Sequence, residues 1–418
     1  MKKSITILTI FSFITASLFA TDRIVADGGQ GGAYPTITDA VNAAVSGDRI
    51  LIYPKVGGAM YSENVAISSK SLQLLSAEEG VMWKLNGNIT FTSGSAGQEL
   101  VVQLANIIAG DIQAGAAAPA GARSKVHVLG CQINSGSVLF NSNQWDVNVA
   151  GNTFLDGTVQ FRYGKVVGNN INPYACGHGI LCNSDGTATD DYIYIVGNKI
   201  VMPTSSGCSP YDWTGIYFNS TSQFAYITNN FIHERAIYQF GLRFEQSKSS
   251  TAKVNILQNN SILNESGSYN YSFRVVAHNS VNEITNNTLV IAGAGFYGFY
   301  SNTASINDHW GYNYTNVVAA GNAFANITND GTNLFNQTIT MSNTTGEVTA
   351  GVSIDGGSPD NAFLDLDLTR NDADCYGGSF SRANFTQTPT GAMTTFMLAP
   401  RRVLSGGTIS ISAEGFDR

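Results

Sequence analysis

The chain is short of charge, proline and cysteine. Of its 418 residues only 12% are charged, with 22 Lys and Arg against 30 Asp and Glu, a formal charge of −8. That is roughly half the charged share of an ordinary domain. A helical bundle, which leans on Ala, Glu, Lys and Leu, is excluded by this composition. The acidic balance, with no basic run beyond the first residues, argues against nucleic acid and anionic membrane surfaces as partners. Five cysteines, Cys131, Cys176, Cys182, Cys208 and Cys375, are too few for a disulfide scaffold in a chain this long. Cys176 or Cys182 can pair with Cys208 in a neighbouring loop, and Cys182 also fits a small buried hydrophobe. No His stands at zinc spacing from any of them, so no metal is expected there. The abundant residues are 44 Gly, 40 Asn and an 11% share of aromatics, while 43% of the chain is hydrophobic. Such a chain can bury a large core, and it reads as all-β.

Lys2 and Lys3 precede an apolar run, residues 5–19, and Ala20 is a small residue at its end. This is the layout of a secretory signal peptide over residues 1–20. A membrane anchor needs ~20 apolar residues, and no later stretch is apolar enough to span a bilayer. The expectation is an exported protein, secreted or at the cell surface.

Two short patterns recur. The first runs into Asn: VLGCQI, VAGNTF, VVGNNI, IVGNKI, ITNNFI, LQNNSI, ITNNTL and AAGNAF, ending at Ile133, Phe154, Ile171, Ile200, Ile232, Ile262, Leu289 and Phe324. The second alternates apolar and polar residues: SVLFN, TVQFR, GILCN, GIYFN, GLRFE, SFRVV and GFYSN. Their first inward residues are Val138, Val159, Ile180, Ile216, Leu242, Phe273 and Phe299. Neither pattern fits a helical period, and each repeat is too small to bury its own apolar face. The repeat therefore predicts a parallel β-solenoid with equivalent residues stacked ~4.8 Å apart. Asn at a repeated turn can then form a ladder of side-chain amides.

On these residues the chain resembles the right-handed parallel β-helix (pectin-lyase-like) superfamily, over roughly Asp27 to Gly378. GGAYPTITDAVNAAVSGDRILIYP followed by YSENVAI is similar to the opening of pectin methylesterases. The resemblance implies a capping helix over about Ile37 to Val45 and a strand from Ile50 to Tyr53. DGGSPDNAFLDLDLTRNDADCYGG resembles the segment that closes many bacterial β-helix proteins. The implied organisation is a signal peptide (1–20), a capped β-helix (21–345), a closing segment (346–384) and appended β-strands (385–418). Asp365, Asp367 and Asp372 carry oxygens at a spacing that suits calcium. The favoured alternative is a capping turn held by Arg370–Asp pairing, with no cofactor. The catalytic signatures of pectin methylesterases, polygalacturonases and pectate lyases are absent or out of order.

The two-residue strand period gives a sharper lead. If Ile216 and Phe218 point inward, Tyr217 and Asn219 point outward. The same register makes an outward row of Leu181, Tyr217, Arg243, Arg274 and Tyr300, with Glu245 in the row beside it. Its last four members, Tyr217 to Tyr300, span ~15 Å over three coil steps, the length of a few sugar residues. Four loops are expected to wall it: PTSSGCSPYDW up to Trp213, HERAIYQF from His233, NESGSYNY to Tyr271 and AGAGFY to Tyr297. Arg suits a uronate or sulfate, and aromatic faces suit sugar rings. Trp213, Tyr217, Arg243, Glu245, Arg274 and Tyr300 are thus candidate contacts for an acidic polysaccharide. Arg243, Arg274 and His233 are candidates for lyase-type catalysis, in which Arg neutralises a uronate and Tyr217, Tyr300 or His233 moves a proton. The alternative is a non-catalytic surface or matrix protein on which outward Tyr and Arg are structural. His233, Glu234 and Arg235 form a charged island in a charge-poor chain, and the favoured reading of such a cluster is a solvated loop tip.

Overall fold

A computed structural model describes residues 20–115, 121–184, 192–204, 213–220, 223–237, 239–246, 253–266, 271–277, 280–292, 297–302, 307–385, 393–398 and 411–416. The signal-peptide run and Cys208 lie outside the described residues. The chain winds into a right-handed parallel β-helix of three sheets. Sheet 1 has 12 strands, from Asp22–Val25 to Asp308–Gly311. Sheets 2 and 3 have 11 each, from Tyr61–Ser62 to Tyr314–Thr315 and from Val65–Ser68 to Phe324–Ala325. Each coil visits the sheets in that order, and a crossover of this kind is right-handed.

The core is a set of files running along the axis. Val138, Val159, Ile180, Ile216, Leu242, Phe273 and Phe299 pair in succession in sheet 3, and all are fully buried. One step along the strands a second file includes Phe161, Cys182, Phe218 and Phe244, the last two stacked at 4.9 Å. Cys182 is therefore a core hydrophobe, while Cys176 is disulfide-bonded. Burying one such apolar side chain is worth ~1.5–3 kcal/mol, and the file repeats it coil after coil.

The turn between sheets 1 and 2 is held by asparagine. Asn152, Asn169, Asn198, Asn230, Asn260, Asn287, Asn313 and Asn333 form one buried file. Each Nδ2 down to Asn313 donates to the next Oδ1 at 2.8–3.0 Å. Each also donates to a main-chain carbonyl of the coil before. Cys131 occupies the step below Asn152 and donates its N–H to that residue's Oδ1 at 2.8 Å. The eighth sequence repeat, AAGNAF, is misplaced: Leu289 pairs with Thr315, and Phe324 pairs with Phe299 in sheet 3. Asn322 sits in a one-turn helix, Ala320–Ala323, so the Gly-Asn motif there serves a different turn.

At the N-terminus the helix Ile37–Ala43 buries Ile37, Ala40 and Val41 against the first strands. Thr36 Oγ1 caps it by accepting from Asp39 N, and Glu63 accepts from the N–H groups of Ile37 and Thr38. It ends two residues short of the expected Val45.

The C-terminal segment does not extend the solenoid. From Gly356 it doubles back along the turn between sheets 1 and 2. Asn286 Oδ1 accepts from Ser358 N, Asn259 Nδ2 donates to Asp372 O, and Asn229 Nδ2 donates to Gly377 O. These three Asn hold the left-handed position of the turn, at φ 59°, 53° and 56°. One coil further back the same position is Gly197 (φ 68°), where a Cβ would lie 2.2 Å from the Phe385 ring. The expected strands TTFMLA and GTISISAEGF supply a hairpin, Met393–Leu398 with Ser412–Phe416. It packs on sheet 1, where Phe396 meets Val167, Val196 and Tyr194, rather than on the helix end.

Candidate functional site

The outward row of sheet 3 forms as its register dictates. Leu181 pairs with Tyr217, Tyr217 with Arg243, Arg243 with Arg274 and Arg274 with Tyr300. Glu245, two residues beyond Arg243 on the same face, organises the centre. Its Oε1 accepts from Arg243 Nε at 2.7 Å, and its Oε2 accepts from the Tyr217 hydroxyl at 2.8 Å. Arg274 stands 3.9 Å from the same Oε1. The Arg243 guanidinium lies 4.6 Å over the Tyr217 ring, and Arg274 lies 5.9 Å from Tyr300. The side chains of Arg243, Glu245 and Arg274 are 16%, 20% and 29% exposed. They are thus partly sunk between aromatic walls.

The wall includes one residue of an expected loop, Phe240, and one that sequence reasoning missed, His178. Phe240 lies under both guanidinium groups, at 5.5 Å from Arg243 and 5.9 Å from Arg274. The His178 ring packs 5.3 Å from Tyr217 at the other end. Tyr271 stacks on Tyr300 at 4.2 Å and meets Tyr297 at 4.6 Å, as expected of loop ends. Phe240 ends the loop HERAIYQF, one of those expected to wall the row. The register between Trp213–Ser220 and Gln239–Gln246 skips the Gly215–Gly241 pair, and Phe240 just before it is buried under the arginines.

Two expected members are elsewhere. Trp213 is 7% exposed and belongs to the main core. His233 lies on sheet 2, where its ring faces Phe231 and its Nε2 stands 3.0 Å from Glu265 Oε2. Burial lowers its pKa. His233, Glu234 and Arg235 are no loop tip: Glu234 is fully buried, and Arg235 Nε donates to Met202 O. Glu234 Oε2 accepts from Asn264 Nδ2 at 2.7 Å and Ser272 Oγ at 3.1 Å. Burial pushes its carboxyl up to about 8. It sits behind the strands that carry the two arginines, next to Gly241 and Ser272.

The aspartate cluster near the C-terminus holds main chain. Asp365 accepts from the N–H groups of Asp372 and Gly378, Asp372 from Asp355 N, and Asp367 from Thr369. Arg370 does not pair with an Asp: its Nε and Nη2 donate to the carbonyls of Gly357 and Gly356, and it lies 5.9 Å from the Tyr312 ring. Among the described residues no group of three or more His, Cys, Asp or Glu is arranged to hold a metal, and no helix is long and apolar enough to cross a membrane.

No family model matches the chain, and no curated protein matches it.

Proposed function

We propose that the protein is exported and holds an acidic polysaccharide on the outer face of sheet 3, without cleaving it. The observation that carries this reading is the pair Arg243 and Arg274 on neighbouring coils, flanked by the rings of Tyr217 and Tyr300. Guanidinium forks bind carboxylate or sulfate, and the flanking rings offer faces to sugars. The likeness of the repeats to pectin-lyase-like proteins supports the same substrate class. Binding is favoured over cleavage by two positions. The Tyr217 hydroxyl donates to Glu245 and His233 is on another sheet, which leaves Tyr300 as the one expected proton carrier facing the arginines, and no second carrier of that set stands opposite it.

The test is titration with oligogalacturonates of increasing length, alongside ultraviolet detection of new unsaturated ends. The expected result is affinity that rises with length up to a few sugars and falls with salt, with no unsaturated product. Glu245→Gln should tighten binding, because it removes the internal carboxylate that competes for Arg243. No binding at any length, or product formation, overturns the proposal.

A further inference from the structure

The outer face of sheet 1 carries a second groove, of about 390 Å³, lined by Arg123, Asp146, Tyr163, Lys165, Tyr192, Tyr194 and Lys253. It lies on a different sheet from the arginine strip and shares no residue with it. In a chain with a net charge of −8 it gathers three cations around one carboxylate. Each cation lies against an aromatic ring. Arg123 is 3.4 Å over Tyr163, Lys253 is 5.2 Å from Tyr192, and Lys165 is 5.5 Å from Phe396 of the C-terminal hairpin. The rings of Tyr192, Tyr194 and Tyr226 continue one another at 5.7–6.4 Å. Gly164 lies at the groove and allows close strand approach there, since any Cβ would strike Val147 O at 2.0 Å.

The groove already holds one carboxylate of the chain itself. Glu414, on the hairpin strand Ser412–Phe416, accepts from Lys165 Nζ and from Asn148 Nδ2. This contact shows the chemistry of the site: an anion seated on Lys165 beside the Tyr194 ring. Arg123 and Lys253 start from coils five steps apart but reach toward each other: the rings they lie against, Tyr163 and Tyr192, open neighbouring strands of sheet 1, one ~4.8 Å step apart. Their charged heads therefore bracket one short stretch of ligand.

We infer that this groove is a second binding site for an anionic glycan, with Glu414 standing in for a ligand acid group at Lys165. Cations over ring faces suit a sugar chain that alternates acid groups with apolar ring faces. The inference does not depend on the sheet 3 strip. Acid groups come from two sources, carboxylate and sulfate, so both are probed.

The experiment measures fluorescence anisotropy of labelled oligogalacturonate, dextran sulfate oligomer, neutral dextran oligomer and a single-stranded oligonucleotide, on the full chain. Three variants are compared: Arg123→Ala with Lys253→Ala in the groove, Arg243→Ala with Arg274→Ala in the strip, and all four changes together. With the strip pair removed, residual binding of one acidic glycan should persist and fall with salt. The further loss of the groove pair should then lower it at least tenfold. The tighter of the two acidic probes identifies the acid group. Glu414→Gln should raise groove affinity several-fold by freeing Lys165. Lys253→Gln, which keeps a long side chain against Tyr192, guards against a folding defect in the alanine pair and should show a smaller loss. Equal binding with and without the groove pair, in a strip-deficient background, overturns the inference and leaves the strip reading intact. Equal binding of neutral dextran, or preference for the oligonucleotide, overturns it too.

Discussion

At the scale of single residues the buried polar groups are the most sensitive points. Asn230 is a rung with nothing to spare: it donates to Ile195 O and Asn260 Oδ1 and receives both N–H groups of Asn198. Asn230→Ala leaves those partners buried and unpaired, which costs ~1–3 kcal/mol per group. Chemical denaturation should therefore show a loss of about 2–4 kcal/mol, while Asn219→Ala on the outer face should show little change. Glu234 makes a pH prediction. Its folded carboxyl, at about 8, is raised above its ordinary value, so the native state keeps a proton that the unfolded chain has released. Its contribution is complete below the ordinary carboxylate range and is lost as pH rises through about 8. Glu234→Gln should flatten the fall of stability between pH 5 and pH 9, roughly the window of that shift. Asp374, raised to about 7 by burial, acts in the same direction, so the slope should shrink without vanishing. An unchanged slope would show that Glu234 is already ionised in the folded chain.

At the scale of the element, the strands Trp213–Ser220, Gln239–Gln246 and Phe273–Ala277 present one face to the core and the other to a ligand. Arg243→Ala with Arg274→Ala should weaken acidic-glycan binding by about 2–4 kcal/mol, taking ~1–2 kcal/mol for each charge-assisted contact. Because both side chains are largely sunk, the double change should also lower stability by about 1–3 kcal/mol, more than an open surface site would. Calorimetry should still show a single cooperative transition, since the inward residues of these strands are untouched. Full affinity in the double variant would reduce the row to a structural ladder. Loss of cooperativity would place the guanidinium groups in the core.

At the scale of the molecule, the returning C-terminal segment joins coils far apart in sequence. Asn259 alone donates to Asn371, Asp372 and Asp374, more than a hundred residues away. The hairpin then covers Val167, Val196 and Tyr194 on sheet 1. A chain ending after Phe385 should keep its strand signal in far-ultraviolet dichroism, because the stacked files remain. It should also bind an apolar dye more strongly than the full chain, because that patch is uncovered. If the truncated chain loses its strand signal, the hairpin is part of the folding core.

The repeats of Ile, Val and Phe at every second position, each running into Asn, were enough to specify a parallel solenoid and its inward files. Stacking is a local matter of period and side-chain shape, so it is legible one coil at a time. The arginine row followed from that same parity. Trp213 and His233 could not be placed in this way: each belongs to a strand whose residues are buried on both faces, Trp213 at the start of Trp213–Ser220 and His233 within Phe231–Glu234 of sheet 2, so alternation no longer separates inside from outside. The packing of Phe240 against the two arginines, the burial of Glu234 beside Gly241, and the path of the C-terminal segment were decided by tertiary structure. So was the groove on sheet 1, whose residues Arg123 and Lys253 are 130 positions apart and meet only because five coils have been stacked between them.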